Sequence, residues 1–531
     1  MAVKKKTKQA GKAKPATKAK PVTKVKPVTK AKPATKVRPA TKVKPATKVK
    51  SATKAKPATK VKSAARSRPA GKPAPARKVT SAGKATRPAP KRKPAPLKKA
   101  SKPADRSRSG AKSGPRARSY GKAGPKPQGP LVGFRVVDLG MIFAGPLVCT
   151  LLGDLGADVI KVEHPDGDDV RLTGKFKNGK GVWWAVSSRN KRMISVNVSK
   201  PEGAEIVRKL VGTADVFVEN FRPGRMKQWG LDYETLSKTN KGLVMLHISG
   251  YGQTGPYSRR PGMGTLAEAF SGFAHITGEK DGPPTLPSVP IADGVAAITG
   301  AYAVLAALLN REKSGLGDEI DISLYEPLMS ILGSMVIDYD QLGHITSRRG
   351  NRSTWTVPRN AYRTKDNKWV AVSSAANSIA PRLFRAIGRP DWAEDPTLGT
   401  NPQRFRRIDE IDGGIADWIR QHDQDFVLDH FHKADVVAGP ICDVAQIFED
   451  PQVKHRGTLR EIQDPDLGKV RLQNIVPKFT RNPGNIRWLG KQRIGVDTPE
   501  VMMELGYARR DIDRLEAEGV IKLDGEPVGG H

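Results

Sequence analysis

The stretch "GFRVVDLGMIFAGPLVCTLLGDLGADVIKVE", residues 133–163, decides the fold. It opens with a short β-branched run, "RVVDLG", that ends in glycine and predicts a strand. In "AGPLVCTLLGDLG" the apolar residues recur three and four apart, which is the helical period. "ADVIKVE" is again a continuous β-branched run, the pattern of a strand buried on both faces. Strand, helix and strand in succession make a βαβ unit, whose crossover places the two strands parallel. The same alternation continues downstream. "KPEGAEIVRKLVGT" (200–213) predicts a helix with proline in its first turn. "ADVFVENF" (214–221) and "GLVMLHISG" (242–250) predict strands, with a helix over "RMKQWGLDYETLSKTN" (225–240) between them. The chain is therefore expected to be α/β, with a Rossmann-like large domain built on a parallel sheet.

Charge divides the 531 residues into two parts. The net charge is +41, and residues 1–130 hold 42 of the 93 Lys and Arg against one acidic residue, Asp105. The remainder carries 51 residues of each sign. Residues 15–60 repeat a short unit, as in "KPATKAK", "KPVTKVK" and "KPATKVR". Proline interrupts every unit, and alanine and valine alone cannot make a core, so a disordered polycationic tail is expected. Such a tail binds polyanions by releasing counterions. It has no aromatic residue before Tyr120, so base stacking is not its mode. The repeats resemble the tails of histone H1-like proteins, which implies DNA as partner; RNA, polyphosphate or an anionic granule surface are alternatives. "MAVKKKTKQAGKAK" lacks the apolar core of a secretory signal, and no uninterrupted apolar run spans a bilayer. Cys149 and Cys442 fit neither a disulfide framework nor a metal-ligand spacing. The expectation is a cytoplasmic chain, nucleoid-associated if the tail binds DNA, with no metal and no membrane partner.

Familiar catalytic motifs are missing. The first turn, "DLGMIFAGP", is not GxGxxG, and Pro146 stands where a glycine is needed. Glu163 is placed to hold a ribose, but alone it does not argue for NAD. There is no GxSxG, Walker loop or HExxH. His164, His247 and His275 are scattered, which leaves carboxylates. One of them, Asp293, stands at the head of the apolar run "SVPIADGVAAITGAYAVLAALLNRE" (288–312). From this stretch alone it is either the cap of a helix or a group that does chemistry.

Five ordered segments widen that choice: "AGP…LGDLGADVIKVEHPDGDD" (144–169), "NKR…KPEG" (190–203), "ADVFVENFRPG" (214–224), "SGYGQTGPY" (249–257) and "REKSGLGDEIDISLYE" (311–326). Together with "NAYRTKDNKWVAV", "AIGRPDWAEDP" and "AGPICDVAQIFEDPQV", they resemble the class III CoA-transferases, the formyl-CoA and carnitine CoA-transferase group. The tail is outside this pattern. The resemblance implies a coenzyme A thioester as substrate, a carboxylic acid acceptor, and neither metal nor NAD. It places the nucleophile at Asp293, 29 positions after Gly264. It further implies that Phe143 and Ala144 line the pantetheine end, and that His164 meets the adenine or a phosphate. Asn220, Phe221 and Arg222 would contact the carrier, and Gly262, Met263 and Gly264 would form the turn facing the thioester. Gly294 would allow close approach of the thioester to the backbone.

Family members form interlocked rings, so a homodimer is expected. The implied divisions are a tail and linker (1–130), a large domain (131–340 and 441–525) and a smaller α+β domain (341–440). Many members carry an acidic residue where this chain has Gly264; Glu268 lies one helical turn later. The histidine–aspartate pair of related racemases is absent from "PGMG", and "NRSTWTVPRNAY" replaces the glycine run of oxalate-using members. Arg352 and Arg359 are candidates for binding a second carboxylate of the acceptor. An alternative function is a nucleic-acid- or granule-associated protein that acts through its tail on a degenerate body. A racemase or hydrolase on the same scaffold is a third.

Overall fold

The computed structural model describes residues 126–526. The tail expected over 1–130 lies outside the described residues, apart from 126–130. The first βαβ unit forms where its periodicity places it: β1 (Arg135–Asp138), helix α1 (Ala144–Asp154) and β2 (Asp158–Glu163). The strands are parallel, with Val137 level with Ile160. A small hairpin follows, β3 (Phe176–Lys177) with β4 (Lys180–Gly181), and then helix α2 (Val182–Ser187). After these come β5 (Lys191–Val196), α3 (Pro201–Val211), β6 (Val216–Glu219), β7 (Val244–Ser249) and β8 (Asp318–Ser323).

Strands β9 (Arg359–Arg363), β10 (Trp369–Ser373) and β11 (Ala438–Pro440) form an antiparallel sheet. Its core, including Tyr362, Phe384, Ile415 and Phe431, is its own. β12 (Leu459–Asp464) and β13 (Gly468–Gln473) make a hairpin, and β14 (Ile521–Lys522) returns to the main sheet. The fold is α/β, with a larger, mainly parallel sheet and smaller antiparallel ones.

Among the described residues the main sheet runs β14-β5-β2-β1-β6-β7-β8, with only β14 antiparallel to its neighbour. Its central strands β1, β2, β6 and β7 are buried on both faces, so alternate apolar residues serve opposite layers. Val137, Ile160, Phe217 and Met245 pack with α3. Val136, Val159, Val216 and Val244 pack with α1 and the helix Ile291–Ser314. Each such side chain contributes about 1.5–3 kcal/mol by leaving water. The helix Ile291–Ser314 is long and apolar enough to cross a bilayer by length and composition. Here Ala292, Ala296, Ala297 and Val304 bury one face of it against the sheet. Gly300 allows the approach, since a Cβ there would lie 2.9 Å from Leu246 and 3.1 Å from Val148.

Two local readings differ from expectation. The helix expected over 225–240 is two single turns, Arg225–Gln228 and Tyr233–Leu236. Gly230, at φ 62°, ends the first, and the Asp232 carboxylate accepts from Thr235 N to start the second. Strand β5 was not among the expected strands because two cations open it. Lys191 is nevertheless fully buried, its Nζ 2.8 Å from Asp138 and 2.7 Å from the Pro146 carbonyl. Removing one partner of a buried ion pair strands the other charge, which typically costs about 3–5 kcal/mol. Lys191→Met is therefore expected to lower the urea midpoint of unfolding by that equivalent.

Candidate active site

In open α/β sheets, ligands lie beyond the carboxyl ends of the strands where the strand order reverses. Here the chain leaves β1 towards β2 and β5, then returns to its other side as β6 and β7. A cavity of about 510 Å³ opens at that point. Phe143, Ala144, Asn220, Phe221, Arg222, Gly262, Met263, Gly264 and Asp293 all line it. These residues come from the ends of β1 and β6, the turn before the helix Gly264–Phe270, and the first turn of the helix Ile291–Ser314.

The floor of the cavity is held in a demanding backbone shape. Ile142 has φ 65°, a left-handed conformation that a β-branched residue rarely adopts. Asn220 clamps the preceding residue, accepting from Met141 N at 2.7 Å and donating to Met141 O at 2.8 Å. Asp168 accepts from Ile142 N and is itself paired with the buried Lys161 at 3.0 Å. The Asn220 amide is thus engaged by its own chain, so it shapes the cavity. Phe143 packs against Trp183 of α2, with ring centroids 5.7 Å apart. Sequence reading missed Trp183, although the doublet Trp183–Trp184 was a visible signal. It also missed Ser249, for which a single serine gives no signal.

Asp293 is not the helix cap. The helix begins at Ile291 after Pro290, which leaves Asp293 at the third position of its first turn rather than at the cap. Its carboxylate presses onto Gly264, where a Cβ would lie 1.8 Å from Oδ2. Any side chain there would displace that carboxylate, so the space an acidic side chain would fill is taken by Asp293 itself. Glu268, 2 % exposed, stands one turn further on and accepts from Ala292 N at 3.3 Å. It has no ion pair among the described residues. Burial, and then the negative charge of Glu268, push Asp293 up to about 6. The other charged group lining the cavity is Arg222, which is exposed and makes no ion pair among the described residues.

A carboxylate must be ionised to attack, so activity should rise with pH through about 6. In Glu268→Gln the neighbouring charge is gone, and this acid limb should move to lower pH. A pH–rate profile across acid and neutral buffers checks it.

His164 is not in this cavity. It is exposed and lies with Lys161, Asn197, Ser199 and Trp229 around a second cavity of about 310 Å³. Met141 and Phe221 line both. Glu163, the residue considered for a ribose, is buried and held by Arg171 at 2.7 and 2.8 Å. Gly294 does not line the Asp293 cavity, and a Cβ there would meet open space, with no atom of the described residues within 4 Å. Arg352 and Arg359 are also elsewhere. Arg352 is paired with Asp409 and Asp412 at 2.7 and 2.6 Å, and Arg359 donates to the Asn351 carbonyl. Arg352 thereby ties the loop before β9 to Asp409 and Asp412.

Residues 131–498 match the profile of CoA-transferase family III. The chain is 38 % identical over 399 residues to a succinyl-CoA–D-citramalate CoA-transferase of Chloroflexus aurantiacus, covering 75 % of this chain and 99 % of that protein. It is 32 % identical over 400 residues to the human succinyl-CoA:glutarate CoA-transferase, covering 74 % and 90 %. A crystal structure of a CAIB/BAIF family protein from Brucella suis superposes with a TM-score of 0.63 at 31 % identity, covering 71 % of this chain and all of that one. A half-buried carboxylate at the carboxyl edge of the sheet and similarity along nearly the whole of these relatives lead to one conclusion: the chain belongs to CoA-transferase family III, a family of enzymes that transfer coenzyme A.

Proposed function

We propose that the protein moves CoA between an acyl-CoA thioester and a free carboxylic acid through an aspartyl-CoA thioester on Asp293. The observation that carries this reading is the Asp293 carboxylate, desolvated beside Gly264 in a cavity large enough for an acyl group. A free acid and a thioester exchange CoA slowly because a carboxylate is a poor electrophile. Asp293 attacks the thioester carbonyl, forms a mixed anhydride and releases CoA thiolate. The thiolate attacks the Asp293 carbonyl carbon and expels the first acid as its carboxylate. The incoming acid then reverses both steps, so each difficult exchange becomes two acyl transfers. The N-terminal turn of the 24-residue helix favours the anion at Asp293.

Phe143, Ala144, Phe221, Arg222 and Gly262–Gly264 contact the pantetheine and thioester, with Asn220 beneath them. His164, in the adjoining cavity, meets the nucleotide end. The names of the relatives support a short dicarboxylyl-CoA such as succinyl-CoA as donor. A second copy of the chain covers the exposed Ile298, Tyr302 and Leu309 face of the long helix. The test is peptide mass spectrometry after mixing the protein with a panel of acyl-CoAs and trapping with hydroxylamine or borohydride. A trapped derivative on the Asp293 peptide, given by succinyl-CoA, is the expected result; no derivative with any donor would sink the reading.

A second activity rests on the tail, where 42 cations meet one acidic residue. We propose that it tethers the enzyme to DNA without sequence preference. A duplex gel shift that weakens steeply with salt and disappears on deleting residues 1–125 is expected. A shift that survives the deletion would refute it.

A further inference from the structure

Ser249, the last residue of β7, is 6 % exposed and lines the cavity that holds Asp293. Its carbonyl accepts from Leu324 N, but its Oγ is enclosed and has no hydrogen-bond partner among the described residues. Buried hydroxyls are nearly always paired, and an orphan is costly to a folded protein. Close contacts link the segment that carries this hydroxyl to the nucleophile. The next residue, Gly250, lies directly against Gly262, since a Cβ on either would sit 2.5 Å from the other's Cα. Two residues beyond Gly262 is Gly264, which the Asp293 carboxylate covers. A serine hydroxyl needs one staggered step about χ1 to change its direction, so it can turn to an oxygen placed in the cavity.

We propose that Ser249 is a catalytic hydrogen-bond donor whose partner is the oxyanion that develops on the carbonyl oxygen of the bound thioester. The inference rests on the reaction assigned above to Asp293. When an Asp293 carboxylate oxygen bonds to the thioester carbon, the carbonyl π pair moves onto its oxygen. The Ser249 O–H donates to that oxyanion and keeps its proton. Collapse of the oxyanion re-forms the carbonyl and breaks the C–S bond, and the sulfur leaves as CoA thiolate. A donor satisfied only as charge develops lowers the barrier without tightening the ground state.

The experiment is single-turnover formation of the trapped Asp293 derivative from succinyl-CoA, with melting temperatures, for the full chain and two variants. Ser249→Ala should form the derivative about 10²-fold more slowly, with the KM for the thioester unchanged and a melting temperature no lower than that of the unaltered protein. Ser249→Thr, which keeps the hydroxyl, should recover most of the rate. Acylation of Ser249→Ala at the unaltered rate overturns the proposal. So does a lower melting temperature for Ser249→Ala, because it would mean that the hydroxyl is already bonded in the free protein. Absence of any Asp293 derivative in the unaltered protein is a separate failure, that of the assigned reaction.

Discussion

Replacing Asp293 by asparagine is expected to reduce CoA transfer by about 10⁴–10⁶-fold, the scale seen when an enzyme loses the group that forms its covalent intermediate. Asparagine matches the shape of the carboxylate but cannot form the anhydride. A steady-state transfer assay, with the thioester still bound, measures the loss directly. The same substitution should also stabilise the protein, and the pH dependence fixes the sign. Native Asp293 is pushed up to about 6 from an ordinary value of 3.8. Between those values the unfolded chain has released a proton that the native protein retains. Native stability therefore falls as pH rises through this window, and the full penalty stands above about pH 6. Asparagine carries no such penalty. Thermal melts should show Asp293→Asn above the unaltered protein at neutral pH and level with it below about pH 4. An asparagine variant with normal transfer, or with a pH-independent stability difference, would mean that this carboxylate is not the strained group inferred here.

Gly264→Ala is expected to lower kcat by about 10²-fold, the usual effect of misplacing a reacting group by an ångström. The added methyl would meet Asp293 Oδ2 at 1.8 Å. What yields is the free end of a side chain, so the fold survives and only the carboxylate moves. Alanine is also the better helix former at this first position of the helix Gly264–Phe270. The expected pattern is normal melting, an unchanged KM for the thioester and a depressed kcat. Unfolding instead of misplacement would show as a lower melting temperature and loss of CoA binding together.

The doubly buried strands were legible because β-branched runs without polar alternation have few other uses, and β1, β2, β6 and β7 form where they were expected. Strand β5 was not legible. Its first residue is a lysine, and only the distant Asp138 and Pro146 carbonyl make that lysine tolerable inside the sheet. Asp293 was ambiguous in its own stretch, and the ordered family segments were needed to choose between cap and nucleophile. The structure then removed the capping alternative by starting the helix at Ile291. The cavity residues came from the family motifs rather than from periodicity. Glu268 was visible as a helical-turn neighbour, while its burial beside Asp293 depends on packing between two helices. Arg352 shows the reverse error. An arginine in a loop reads as free until its partners, Asp409 and Asp412 for Arg352, are brought up by a fold the local sequence does not describe.

The crossing of Gly250 and Gly262 has an evolutionary consequence. Two chain segments that touch through bare backbone fasten residues 251–261 at both ends without enlisting a side chain from within them. The half next to Gly250 is held further, since Tyr251 packs against Phe270 and Tyr325 and Gln253 N donates to Asp321. The exposed end at Arg259, Arg260 and Pro261 carries no such anchor in the core among the described residues, although Arg260 stacks over the Tyr257 ring at 3.6 Å. That end can change in length or content while Ser249, Gly264 and Asp293 keep their places. Descendants of one such enzyme can thus diversify it without reinventing the reaction beneath it.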